Sequence, residues 1–364
     1  EIDLCTGPEW SLATFTPLCV LTRSDNFFAA LVAAGWWSEM IGEAKAERER
    51  IWQCGLPGSD CERRQRDFWG HIQQAADDFY DRSSECAFTT FVGYEYTDTP
   101  NFDNMHRNVI FRNDRVVERP ISAVDTGSEN FPELWRRLRS ECIEAGTGCD
   151  VIAIPHNSNL AGGRMFRDPR SALEARERLF FEPVVELVQH KASSECRFDR
   201  LLGRGVATAD ELCTFEQNKT DSLQSLAVLF GEVQSEAGAP TPLHEFAPRN
   251  LLRNVLKDGL ALERASGTNP FKMGFIGSTD THSATAGGAD EEPYLGHLGR
   301  RDAGYRNVQD HMQDNPGGLA VVWAEENSRD AIFAALRRKE TYATRGTSPV
   351  VRFLHTAGYP LPWI

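Results

Sequence analysis

The sequence predicts an α/β protein built as a TIM-like barrel, and three observations carry that expectation. Strand-like apolar runs alternate with helical segments, which favours a mainly parallel sheet. Apolar runs also border residues able to bind a metal ion. Glu95 follows Phe91-Val92-Gly93-Tyr94, His156 follows Val151-Ile152-Ala153-Ile154-Pro155, and Asp280 and His282 follow Met273-Gly274-Phe275-Ile276-Gly277. His106 stands just before Asn108-Val109-Ile110-Phe111. Finally, long polar loops at 101–105, 157–169 and 283–317 follow or flank those residues, as active-site loops do at the carboxy-terminal face of an α/β barrel.

Taken in order, residues 24–85 read mainly as helix, an insertion ahead of the first strand. Asp25-Asn26 can cap a helix over 27–40, a Gly-Leu-Pro-Gly-Ser-Asp turn breaks the pattern at 55–60, and Phe68, Ile72, Ala75 and Phe79 resume it over 63–80 at helical spacing. Strands are expected over 88–96, 106–111, 150–155, 183–190, 273–278 and 318–323. Helices are expected over 131–145, 171–179, 243–265 and 328–339, the last capped by Ser328, whose hydroxyl suits an N-cap. No internal repeat or low-complexity tract is present. The expected organisation is one barrel domain over 1–350, incomplete at its amino end, with 351–364 the start of a truncated carboxy-terminal segment.

Composition narrows the partners. A hydrophobic content of 41% is ample for a core. A formal charge of −14 argues against nucleic acid, which needs a basic footprint, yet permits a small anionic substrate, because a metal site brings its own positive charge. No apolar run reaches the roughly 18 residues of a membrane span. Nine cysteines are many, and Cys54/Cys61, Cys142/Cys149 and Cys196/Cys213 could each close a short loop. None forms a Cys-x-x-Cys zinc pair, so disulfides in an exported, periplasmic or secreted protein are the expectation, with reduced thiols in the cytoplasm the alternative. The sequon Asn218-Lys219-Thr220 is a single chance-level match.

The chemistry follows from side-chain types. Residues two apart on a strand share a face, so Asp280 and His282 form a candidate metal pair, joined by Glu95, His106 and His156. Mixed oxygen and nitrogen donors suit Zn²⁺, Mn²⁺ or Fe²⁺ and suit Ca²⁺ poorly. Glu186 and His190 share a face at the end of the 183–190 strand. Arg107, Asn108, Asn157, Arg164 and Lys191 could bind an anionic oxygen, and His297 sits in a glycine-framed loop. No Gly-x-Ser-x-Gly elbow occurs, which weighs against serine catalysis, and a phosphate-binding P-loop is also absent.

The ordered set Gly93-x-Glu95, His106, Pro155-His156 and Asp280-x-His282 resembles the polymerase and histidinol phosphatase (PHP) superfamily. More closely, Phe91 to Thr97, His106 to Arg112, Ile154 to Asn159, Gln189-His190-Lys191, Glu195-Cys196, Asp210 to Cys213, Asn269-Pro270-Phe271 and Gly277 to His282 resemble a large bacterial family related to it, domain of unknown function 3604. The resemblance spans roughly residues 85–350. It implies a distorted (β/α)7 barrel of PHP type, a cluster of two or three divalent ions, and hydrolysis of phosphoesters through metal-bound hydroxide. Carried over by position, Glu95 would bridge the metals, His106 and His156 would complete a second site, Asp280 would serve the first, and His282 would lie beside them. The superfamily's opening His-x-His pair is missing; His71 is the only histidine before His106. The chain is therefore expected to lack the first barrel strand or strands and to retain only the Glu95, His106 and His156 site.

The resulting expectation is a metal-dependent hydrolase of phosphoesters or related anionic esters. His282, His190 and Arg107 are its candidate catalytic residues. Asn157, Arg164, Lys191 and His297 would contact substrate, and Glu95, His106, His156, Asp280 and His282 would ligate metal. Amidohydrolase-like C–N hydrolysis and an inactive, metal-stabilised binding module are the alternatives.

Overall fold

A computed structural model of the chain describes residues 61–214, 216–222, 241–281, 286–290 and 316–346. The expected helices before residue 61, the pairing of Cys54 with Cys61, the candidate residues His282 and His297, and the segment 351–364 lie outside the described residues.

Helix α1 (Cys61–Asp78) precedes strands β1 (Gly93–Tyr96) and β2 (Arg107–Phe111). A short helix, α2 (Ala123–Thr126), and α3 (Phe131–Leu138) lead to β3 (Val151–Pro155). Then come α4 (Ala172–Phe181), β4 (Val184–Gln189), β5 (Ala192–Ser193) and the small pair β6 (Phe198–Asp199) and β7 (Arg204–Gly205). The last described elements are α5 (Leu252–Ser266), β8 (Gly274–Gly277), β9 (Ala320–Val322), α6 (Arg329–Arg338) and β10 (Thr341–Ala343).

The α/β class holds, but the barrel and the mainly parallel sheet do not. Among the described residues the strands form small sheets in the orders β1-β2-β3, β5-β4-β8, β10-β9 and β6-β7, and no closed barrel. Of their pairings, β4 with β8 is parallel and the others are antiparallel. The β1–β2 connection shows why. Residues 97–106 are too few for the crossover of a dozen or more residues that parallel neighbours need. Beyond hydrogen-bonded pairing, β3 lies beside β4, and β8 beside β10.

Strand alternation divides the interior in two. In β2, Arg107, Val109 and Phe111 are buried while Asn108 and Ile110 are partly so. Val109 and Phe111 join the larger core with Val151 and Ala153 of β3 and Val185 of β4. Trp69 of α1 packs edge-on to Tyr94 in this layer, ring centroids 5.8 Å apart, and donates its Nε1–H to the Val117 carbonyl at 2.9 Å. The α3 residues Phe131, Leu134, Trp135 and Leu138 are buried at helical spacing. The alternate residues Ile152, Ile154, Val184 and Ile276 form a smaller apolar cluster, against which Ile110 packs. Continuing each strand by two residues on that face gives His156 after Ile154, Glu186 after Val184 and Ser278 after Ile276. The smaller core is thus capped by polar side chains from several strands.

Local chemistry explains the element ends. The Ser171 and Ser328 hydroxyls accept the Glu174 and Ala331 N–H groups and cap α4 and α6. Helix α5 begins at Leu252 rather than at the expected 243, because Pro248 opens a separate 3₁₀ turn, Pro248–Asn250. Asn250 then pins the neighbouring loop: its Oδ1 accepts from Gly163 N–H, and its Nδ2 donates to the carbonyls of Asn159 and Asp221. Disulfides join Cys142 to Cys149 and Cys196 to Cys213, two of the expected pairs, in keeping with an oxidising environment. Cys86 is a free thiol. No helix among the described residues is long and apolar enough to cross a membrane.

Candidate metal centre

The antiparallel register of β1, β2 and β3 assembles the centre. Glu95 pairs with Asn108, and Arg107 with both Tyr96 and Pro155. The residue before β2 therefore stands at the same end as the residue after β3. His156 N–H reaches the His106 carbonyl at 3.3 Å, and the two rings lie 5.5 Å apart at 69°. Glu95 Oε1 is 2.8 Å from His106 Nδ1 and 3.5 Å from His156 Nε2, and it accepts the Thr97 hydroxyl at 3.1 Å. One donor atom from each of Glu95, His106 and His156 lies within 4.8 Å of the others.

These residues fit a divalent ion. A tetrahedral ion with ligand bonds of about 2.0–2.1 Å holds its donors about 3.3 Å apart, close to the His156–Glu95 separation. The opposite nitrogen of each ring, His106 Nε2 and His156 Nδ1, is buried without a hydrogen-bond partner, an unfavourable state for a polar atom. Glu95 and His106 keep 20% and 15% of their side-chain surface exposed, against 2% for His156, so the cluster opens toward solvent on one side.

A second group adjoins it. Asn157, just after His156, takes a left-handed conformation with φ 58°, and its N–H donates to Glu186 Oε1 at 3.0 Å. Glu186 Oε2 accepts the Ser278 hydroxyl. Asp280 also adopts a left-handed φ of 50°, one that aspartate tolerates better than most residues. The backbone just before Asp280 is tightly packed: a Cβ on Gly317, itself at φ 76°, would stand 2.5 Å from the Ser278 carbonyl. Asp280 Oδ2 accepts from Gln189 Nε2 at 2.7 Å and from Lys191 Nζ, with His190 Nε2 at 3.8 Å.

The charges are coupled across both groups. Burial raises the Glu95 pKa, but His106 and His156 outweigh it and hold the carboxyl well below its usual range. Burial depresses His106, only partly countered by Glu95. Burial also opposes the charge on His156, yet Glu95, Glu186 and Asp280 lift it to about 9. Burial pushes Glu186 up to about 7 against the pull of His156. Asp280 is driven up by burial but brought below the usual carboxylate range by Lys191, His156 and His190. Lys191 is raised, since Asp280, Glu95 and Glu186 overcome its desolvation.

Of the sequence-predicted residues, the structure brings together Glu95, His106, His156, His190, Lys191 and Asp280. Arg107 is placed elsewhere. It faces the opposite side of β2 from His106 and is buried against Glu182, its Nε 2.7 Å from Oε1. Arg164 is held by Asp103 at 2.8 Å and by Glu129 at 2.5 Å. The Asn157 side chain is engaged in a buried amide chain with Asn104 and Asn159, so Asn157 shapes the site through its backbone. Gln189 and Ser278 stood in the sequence only as members of longer runs, with no role of their own. The run Gly277-Ser278-Thr279-Asp280 and the neighbour His190 were the only signals for them.

Fold and site together define a mixed α/β protein with a partly open His/Glu cluster able to hold a metal ion. The chain belongs to the family described as protein of unknown function (DUF3604), which matches residues 29–361. No curated protein and no solved structure matches it.

Proposed function

We propose that the protein is a metal-dependent hydrolase of phosphoesters or related anionic esters, akin in chemistry to the PHP superfamily and working in the periplasm or outside the cell. The convergence of Glu95, His106 and His156 on one partly open point carries this reading. A divalent ion held there, Zn²⁺, Mn²⁺ or Fe²⁺ by donor type, would supply a Lewis acid for the scissile group and a water of lowered pKa.

The chain's own residues supply the rest. Lys191, 19% exposed, offers a fixed positive charge to an anionic oxygen. Glu186, titrating at about 7 and joined to the Ser278 hydroxyl, is poised to hold a proton in one half of a cycle and release it in the other. His190 stands beside Asp280 and can orient it.

The test is a panel of phosphomonoesters, phosphodiesters and phosphonates with added Mn²⁺ or Zn²⁺. Glu95→Gln and His156→Ala are expected to lower turnover at least about 100-fold, since a lost ligand should cost no less than the 10–100-fold of a lost outer-sphere partner. Hydrolysis that survives in both variants would refute the assignment.

A further inference from the structure

We infer that the site holds a single divalent ion, at Glu95, His106 and His156, and that the Lys191 ammonium fills the place at Asp280 where a second ion would otherwise sit. The inference rests on the metal-dependent reading above and specifies its stoichiometry.

Three observations lead to it. First, Asp280 Oδ2 already receives the Gln189 amide and the Lys191 ammonium. A carboxylate oxygen offers about two lone-pair positions, so these two donors fill Oδ2, and the ammonium puts a positive charge where an ion bound to that oxygen would stand. Second, Lys191 is not a wandering surface lysine. It lies in the tight turn between β4 and β5, its N–H donates to Gln189 Oε1, and its carbonyl accepts from Asn159 Nδ2 at 3.0 Å. Gln189 thereby ties the Lys191 backbone to the Asp280 carboxylate. Third, the other nearby carboxylate is engaged: Glu186 accepts from the Asn157 N–H and the Ser278 hydroxyl. Among the described residues, Glu95, His106 and His156 are the group that brings three donors within 4.8 Å. A second dication beside a fixed ammonium would meet strong like-charge repulsion in a poorly solvated place.

A lysine in this position is also a selective device. It neutralises Asp280 without a second metal and supplies a non-exchangeable cation in its place.

Metal content of the full chain, dialysed against Mn²⁺ and read by elemental mass spectrometry and electron paramagnetic resonance, tests this. The wild type is expected to carry one ion per chain with the spectrum of an isolated Mn²⁺. Lys191→Met should admit a second ion and give a spin-coupled pair. Lys191→Met with Asp280→Asn should return to one, and Lys191→Arg should remain at one. Two coupled ions in the wild type, or a folded Lys191→Met protein that stays at one, would overturn the inference while leaving the hydrolase reading intact. No bound ion in the wild type would overturn both. If Lys191→Met does not fold, Lys191→Gln takes its place with the same expected second ion, and two coupled ions in the wild type overturn the inference in either case.

Discussion

His106 and Arg107 are neighbours in the chain and lead into two buried clusters of charge that differ in kind. Arg107 enters a closed network. Glu182 gives one oxygen to Arg107 at 2.7 Å and the other to Arg178 at 2.9 Å, all three essentially unexposed. The guanidinium of Arg107 lies 4.1 Å above the Phe131 ring, and that of Arg178 is surrounded by Phe131, Trp135, Phe166 and Phe271. Each arginine leaves an Nη2 without an acceptor, but a guanidinium has no lone pair to give, and aromatic faces receive it. His106 enters an open cluster. There the orphaned atoms, His106 Nε2 and His156 Nδ1, belong to imidazoles, which can donate a lone pair or give up a proton. Buried charge alone therefore does not mark a site; side chains able to give a lone pair and converging on one point do.

The sharpest way to break this contrast is to remove the shared carboxylate of the closed network. Glu182→Gln leaves two buried arginines without the carboxylate they share. Losing one partner of a buried pair typically costs about 3–5 kcal/mol, and that fall in unfolding free energy is expected in urea titration. A loss under about 1 kcal/mol would show that Glu182 is not the keystone.

The open cluster should respond in the opposite pattern. Glu95→Gln is expected to cost the metal-free protein less stability than Glu182→Gln, because His156 can become neutral when its carboxylate goes. Its Mn²⁺ affinity should nevertheless drop at least about 100-fold, equivalent to about 2.7 kcal/mol. Calorimetric titration and thermal melts on the same samples separate the two quantities. Equal losses of stability in the two variants would erase the distinction between scaffold and site.

The same contrast explains what could be read in the amino-acid order. The strands around Glu95, His156 and Asp280 were legible because apolar runs stop at polar residues. Ser328 as a cap and the two short disulfide loops were legible because their signals are local. Pairing direction was not: an apolar run carries no mark of its neighbour's sense, and only the brevity of 97–106 hinted that β2 turns back on β1. Arg107 was read as catalytic for its charge, although a period of two puts it on the face opposite His106. The onset of α5 was misjudged because Leu243 to Ala247 look helical by composition, while Pro248 and the side chain of Asn250 commit that stretch to other partners. Gln189 and Ser278 stood in runs that carry the family resemblance but had no role there, and only the meeting of β4 with β8 supplies one.

A shallow closed pair separates depth from closure. Asp125 accepts both Arg119 Nη1 and Nη2, at 2.9 and 2.6 Å, and reaches back to the N–H and hydroxyl of Ser122 at 2.8 and 2.9 Å, completing the capping box of α2. Burial works against its ionisation, but Arg119 and Ser122 outweigh it and hold the pKa at about 2, against 3.8 for the unperturbed group. A carboxyl depressed by folding adds stability above the unfolded value, and that stability fades as pH falls through the folded one. Because the pair lies near the surface, solvent screening leaves only about 1 kcal/mol of the effect. Asp125→Asn is therefore expected to destabilise the protein by about that much at pH 7 and hardly at all near pH 2, so that the two stability curves converge over the acid limb. If the gap stays constant across that range, the carboxylate acts through packing and not through charge. If it matches the Glu182→Gln loss, closure and not burial sets the cost of breaking such pairs.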